Sequence, residues 1–394
     1  MALLAACQGQ PTTVAPRLPP EIVCGPDVPV VGEVRMPRNI VMVMGDGMGP
    51  VHLQAGRILR GGPLRMDALD GPVYLNTDSL TTDAADDPAS APATDSAASA
   101  TAFATGHRVG NGVISLEPDG APLQTVAELA AAAGKSVGLV TTSSLYDASP
   151  AAQVAHAASR YDAETILMQM LADATPQVLL GGGRPQFFAD GGQFLAVAQA
   201  QGYQLVGTAA QLAAWQPSDR PLLGLFQGSA VSEQPALWEW FTTPELLRDS
   251  TSSDPTLPEM TDRALDGLIG DPDGFLLFVE NEHTDTLGHI SLVARDLALA
   301  ALPHEVVAID DAVGVVVDRL AAEGLEGDTL VLVLADHETG GYTLYGEDPL
   351  DAAFWTSGHT RTPVAVYAQG PGAGRLSSLC RIADLHLLMT GRLP

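Results

Sequence analysis

Three uninterrupted apolar runs constrain this chain more than any other feature. Residues 39–44, 275–279 and 329–334 each stop on a carboxylate, at Asp46, Glu280 and Asp336, the last followed by His337. Runs of this kind, without polar alternation, are strands buried on both faces, as in a mainly parallel sheet covered by helices. Further strand signals at 136–142, 178–180 and 362–368 alternate with helical patterns at 51–60, 123–133, 258–269, 292–323 and 382–389. The expected fold is therefore α/β, a three-layer α/β/α sandwich around a central, mainly parallel sheet. A helix carrying His156 and Arg160 is expected after 147–150, and an interruption at Pro303. Gly181, Gly182, Gly183 and Arg184 read as a tight structural turn, and 81–92 as an acidic loop. Residues 215–258 hold most of the tryptophans and many prolines, which suits a surface wrap. Acids just beyond buried parallel strands gather at one sheet edge, where they repel one another unless a cation lies between them. Three such acids with a histidine mean metal.

The stretch 94–106 opens with Thr94, Asp95 and Ser96, runs through small residues and closes on Gly106. It predicts a helix whose first turn begins near Ser96 and whose end is a glycine cap. The Ser96 hydroxyl then sits at the positive end of a helix dipole, where free N–H groups favour an anion or a serine alkoxide. On this stretch alone the plainer reading is favoured, a cap on a buried small-residue helix. Metal ligands elsewhere reverse that preference.

Composition narrows the partners. A formal charge of −28, from 19 basic and 47 acidic residues, repels nucleic acid and anionic membrane, and isolated acids carry little information against that background. No apolar run of about 18 residues exists, so the chain reads as soluble and globular. Cys7, Cys24 and Cys380 are too few for a cysteine zinc site. A staple between Cys24 and Cys380 and two free thiols are equally compatible with the sequence. Leu4, Ala5, Ala6 and Cys7 look like the end of a bacterial lipoprotein signal without its charged and long apolar regions. A start placed too late or a trimmed chain is one reading, a short apolar N-terminus the other. Residues 1–37 are thus a signal-like segment and proline-rich arm, and 38–394 the folded domain.

Beyond Glu280, Asp285 and His289 lie four apart, on one face of a helical turn, and zinc accepts both side chains; His359 adds a third nitrogen. At this point the chain resembles the alkaline phosphatase family, metal-dependent phosphomonoesterases, from about Asn39 to the C-terminal helix. Asp46 among its glycines, the Thr94 to Ala102 nucleophile stretch, Gly181 to Arg184, Asp254 to Met260, and Asp336 to Gly341 fall in family order. The resemblance implies one zinc held by Asp285, His289 and His359. It implies a second held by Asp46, Asp336 and His337, joined by Ser96, and a magnesium held by Asp46, Ser149 and Glu280 with Asp147 behind its water shell. Hard oxygen ligands suit magnesium and imidazoles suit zinc.

The activity so implied is hydrolysis of small phosphate monoesters through a phosphoserine on Ser96, with Arg160 clamping two phosphate oxygens. Two features depart from the family pattern. Thr286 stands where relatives carry Lys, His or Trp, and the short segment between His337 and His359 leaves no room for a large crown insertion. His283 and Glu282 match no ligand position, and a place behind the ligands or at the surface is expected for them. A periplasmic or cell-surface location is expected, with a membrane tether through lipidated Cys7 and a homodimer left open. The rival readings are a phosphodiesterase of the same superfamily and a non-catalytic surface protein stabilised by its metals.

Overall fold

A computed structural model describes residues 22, 24, 36–80, 92–172, 175–226 and 253–392. The signal-like residues through Cys7, most of the arm, most of the 81–92 loop and residues 227–252 lie outside the described residues.

In chain order the apolar run β1 (Asn39–Gly45) leads into α1 (Pro50–Arg60) and the edge strand β2 (Asp70–Leu75). Three short helices, α2 (Ser96–Thr105), α3 (Val126–Ala132) and α4 (Ala148–Val154), flank β3 (Ser136–Ser144). Next come α5 (Ala163–Ala172), β4 (Pro176–Gly182), α6 (Arg184–Phe188), α7 (Gln193–Ala200), β5 (Gln204–Val206), α8 (Ala209–Ala214) and β6 (Leu222–Leu225). The central part closes with α9 (Leu257–Leu268), β7 (Phe275–Asn281), α10 (His283–Ile290), α11 (Arg295–Glu323) and β8 (Thr329–Leu334). Two small ladders follow, β9 (Glu338–Thr339) with β12 (His359–Thr360), and β10 (Thr343–Leu344) with β11 (Ala352–Ala353). The chain ends with β13 (Val364–Gln369) and α12 (Leu385–Met389).

Nine strands form one sheet in the order β2-β13-β8-β1-β7-β3-β4-β6-β5. All neighbours are parallel except β13, which is antiparallel to β8 and β2. The register explains why the three acids meet. Met44 lies level with Glu280 on one side and Leu334 on the other, so Asp46, Glu280 and Asp336 leave the sheet at one edge. The sheet lies between two helical layers, with α1 and α9 packed on α11 in one and α2 on α4 in the other. Every residue of β1, β7 and β8 is buried, which is why their sequences need no alternation.

Several expectations are corrected. Helix α4 ends at Val154, and His156 and Arg160 lie on the extended segment beyond it, anchored where Ala157 bridges Ile114 and the Arg160 amide donates to Gly112. Helix α11 runs unbroken through Pro303, because Ala298, Leu302, Val306 and Ile309 bury one side of it in the core and override the lost hydrogen bond. Residues 216–220 are exposed, as a surface wrap requires, but Trp215 is buried and 222–225 form a sheet strand. Gly181 and Gly182 extend β4, and only Gly183 turns, at φ +86°. The cysteines the sequence left open are joined, Cys24 to Cys380.

Candidate active site and metal centre

Ser96 is the first residue of α2. Asp95 caps that helix by accepting from the Ala98 amide at 2.9 Å, and Gly106 ends it in the left-handed region. All ten helix residues are buried, so only Ala, Ser, Thr and one Phe fit against α4. The Ser99 hydroxyl donates to the Asp336 carbonyl at 2.8 Å, which fixes the helix start to the end of β8. The Ser96 Oγ lies 3.4 Å from His337 Nε2. Nearby, Gly47 has φ +68°, and a Cβ there would lie 2.9 Å from the Asp285 backbone, so glycine is required beside the Asp46 carboxylate.

Two groups of side chains converge, Asp285 with His289 and His359, and Asp46 with Asp336 and His337. Hydrogen bonding decides which nitrogen each imidazole presents. His289 Nδ1 lies 2.6 Å from the Ser357 carbonyl and His359 Nδ1 lies 2.7 Å from the Thr94 carbonyl; a carbonyl only accepts, so both Nδ1 atoms carry the proton. The Thr339 hydroxyl donates to Asp285 Oδ1 and so accepts from His337 Nδ1 at 3.1 Å. All three rings therefore turn an Nε2 lone pair inward. The Nε2 atoms of His289 and His359 stand 3.0 Å apart, with Asp285 oxygens 3.1 and 3.4 Å away. Lone pairs held that close repel unless a cation or a proton lies between them. Asp285 pulls such a proton onto His359, raising it to about 9 although burial works the other way.

The second group is poised in the same manner. Asp336 Oδ1 accepts from the amides of Gly47 and His337, while its Oδ2 and Asp46 Oδ1 are buried without hydrogen-bond partners. Burial, then mutual repulsion, raises Asp46 well above the carboxylate range; burial raises Asp336 to about 7. Glu280 is pushed to about 8, chiefly by burial and against a 2.5 Å bond from Thr141. The Ser149 hydroxyl is buried beside Glu280 and, like Thr141, works against that rise. Orphaned buried oxygens and lone-pair nitrogens of this number fit divalent cations. Asp285, His289 and His359 offer two nitrogens and Asp46, Asp336 and His337 one, donors that zinc accepts, whereas Asp46, Ser149 and Glu280 offer oxygen alone, as magnesium prefers.

A cleft of about 610 Å³ opens over Ser96 between these groups and Arg160. Arg160 is held by Asp95 at 3.3 Å and by Asp147 at 3.0 Å, and Asp147 accepts from Ser143 at 2.6 Å. Those two acids keep its charge against burial. Thr286 lines the same cleft and donates its hydroxyl to Glu282. Sequence reasoning missed Asp95 as an arginine clamp and Thr339 as a ligand holder; Glu282, expected behind the ligands or at the surface, is buried in the cleft wall. Only Asp95 carried a signal, the N-cap pattern, and that signal concerns the helix.

A sheet edge that gathers uncompensated acids and inward imidazoles round a helix-start serine, with a guanidinium across an open cleft, defines a metal-dependent hydrolase of anionic esters. Residues 37–378 match the alkaline phosphatase family. An alkaline phosphatase of Escherichia fergusonii is 31% identical over 90% of this chain and 86% of its own length. Streptomycin-6-phosphate phosphatase of Streptomyces griseus is 32% identical over 86% of each chain. The alkaline phosphatase of Thermus thermophilus superposes with a TM-score of 0.75 at 24% identity, covering 91% of this chain and 92% of that one, a likeness of fold. The chain belongs to the alkaline phosphatase family, and it is a phosphoric monoester hydrolase.

Proposed function

We propose that the enzyme transfers phosphate from small monoesters to Ser96 and then to water, on a centre that takes two zinc ions and one magnesium. One zinc falls to Asp285, His289 and His359, the other to Asp46, Asp336 and His337, and magnesium to Asp46, Ser149 and Glu280. Bound there, the cations neutralise phosphate oxygens and lower the pKa of a serine hydroxyl and of water. Arg160 presents its planar fork to two non-bridging oxygens, and each charge-assisted bond contributes roughly 1.5–3 kcal/mol. Ser96 gives up its hydroxyl proton to water and its Oγ attacks phosphorus as the bond to the alcohol oxygen breaks, and the departing alkoxide takes a proton back from water. Water then attacks the phosphoserine, returning the Ser96 hydroxyl and releasing inorganic phosphate.

The observation that carries this reading is the Ser96 hydroxyl at the start of α2, 3.4 Å from His337 Nε2 and within the cleft that Arg160 faces. The cleft is open and its phosphate-facing groups grip no alcohol, so broad leaving-group tolerance is expected. A relative named for streptomycin 6-phosphate is in keeping with a large leaving group. Ser96→Ala should leave about a thousandth of turnover or less, with metal content and melting temperature nearly unchanged. Retention of substantial turnover would remove Ser96 as the nucleophile. A clear preference for a nitrophenyl diester over the monoester would favour the phosphodiesterase reading instead.

Export to the periplasm or cell surface completes the proposal. The Cys24–Cys380 disulfide supports it, because such bonds persist in oxidising compartments. Among the described residues no helix is long and apolar enough to cross a membrane, so attachment would fall to a lipid on Cys7. Fractionation of the native host decides, and a purely cytoplasmic signal defeats it.

A further inference from the structure

We infer that Glu282 is a working part of the third cation position, holding the water shell of a hard divalent ion together with Glu280 and Asp147; this rests on the metal centre proposed above. Glu282 follows β7 directly, and its amide donates to the Thr142 hydroxyl at 2.9 Å, which fixes its backbone against β3. The side chain is only 6% exposed and forms part of the cleft wall. Thr286, one helical turn on, donates to Oε1, while Oε2 is buried without a hydrogen-bond partner. A carboxylate desolvated to that degree, with one oxygen held and the other left over, is oriented toward something else.

Charge shows what that is. Asp46, Asp95, Asp147, Asp285, Asp336, Glu280 and Glu282 surround the centre, and the groups acting most strongly on Glu282 include Asp285, Asp147 and Glu280. These seven acids face one guanidinium, Arg160. With all seven ionised, as cation binding requires of them, two dications at the two convergent groups leave a deficit of two positive charges, which one further dication removes. Glu280 and Glu282 belong to neither convergent group. An ion that keeps several waters, as magnesium does, engages such carboxylates without direct ligation, each water donating to one of them. Glu282 then acts through water as a positioning residue, and the Thr286 hydroxyl aims it.

The test uses the full chain loaded with zinc, measured for zinc content by atomic spectroscopy and titrated with Mg²⁺ by calorimetry and thermal shift. Glu282→Gln should weaken Mg²⁺ binding about tenfold or more while zinc stays at two per chain. Thr286→Val, which keeps the carboxylate but frees it, should weaken Mg²⁺ binding several-fold and serves if Glu282→Gln does not fold. Mg²⁺ affinity within twofold of wild type in the folded variants overturns the role of Glu282 alone. Loss confined to kcat/KM on phosphate esters of amino alcohols, with Mg²⁺ binding intact, would assign the carboxylate to substrate and overturns it equally. A zinc content other than two, or a wild type that binds no Mg²⁺, brings down the proposed centre and this inference with it.

Discussion

The Thr339 hydroxyl holds members of both convergent groups at once, donating to Asp285 and accepting from His337. Removing it should therefore disturb both cation positions without touching any ligand atom. Thr339→Val is expected to lower zinc affinity roughly 10- to 100-fold, the usual effect of losing a group that orients metal ligands. Competition with a chelator of known affinity measures this, and an unchanged zinc affinity would show that packing alone orients the two side chains. The side chains that converge were legible in the sequence as metal-ligand candidates, because Asp46, Glu280 and Asp336 each end an apolar run and Asp285 and His289 share a helical face. Thr339 was not, since its role arises from a side chain 54 positions away meeting it across the end of the sheet. Arg160 was placed by motif but assigned to the wrong element. What holds it is an ion pair on each side, and helical periodicity plays no part.

Helix α2 presents Ser96 at one end and rests on α12 at the other. The His386 ring lies against Gly106, where a Cβ would come within 3.2 Å of it, and its Nδ1 donates to the Ala104 carbonyl at 3.0 Å. Burial lowers the pKa of His386 to about 4. The unfolded chain takes up a proton near pH 6.5 that the folded chain refuses until about pH 4. Folding stability is therefore present above pH 6.5 and is lost as pH falls through that window, by about 3 kcal/mol at most. Metal release also destabilises in acid, so the informative quantity is the difference between wild type and His386→Gln. Denaturation midpoints at pH 7 and pH 4.5 should converge for the pair as pH falls, and a constant difference would assign the acid loss elsewhere. Long apolar strands were readable as elements, whereas β2, β5 and β6 were not. β5 and β6 are short segments at and next to one edge, and β2, at the other edge, carries an exposed Pro72, a residue that an edge strand tolerates and a central strand does not.

Over the whole molecule the frame was legible because a buried parallel sheet makes its central strands continuous apolar runs and gives the helices that cover it an apolar stripe. Chain-end pairing was not, because the distance between Cys24 and Cys380 is a property of the folded chain. Net charge has a consequence that neither frame nor pairing contains. The protein carries a formal −28, while its substrates are dianions that must approach a cleft bordered by Asp95, Asp147 and Glu282. Cations bound at the proposed centre would attract phosphate at contact, yet at longer range the surface repels it, and only the second interaction reaches across the solvent. The screening length falls from about 30 Å at 0.01 M salt to under about 8 Å at 0.3 M, which removes the long-range term and spares the contact term. For nitrophenyl phosphate, kcat/KM should therefore rise, about two- to tenfold across that range of sodium chloride, with kcat itself little changed. A monotonic fall in kcat/KM would mean that the cation centre dominates the field at all distances. The acidic surface would then play no part in how this enzyme meets its substrate.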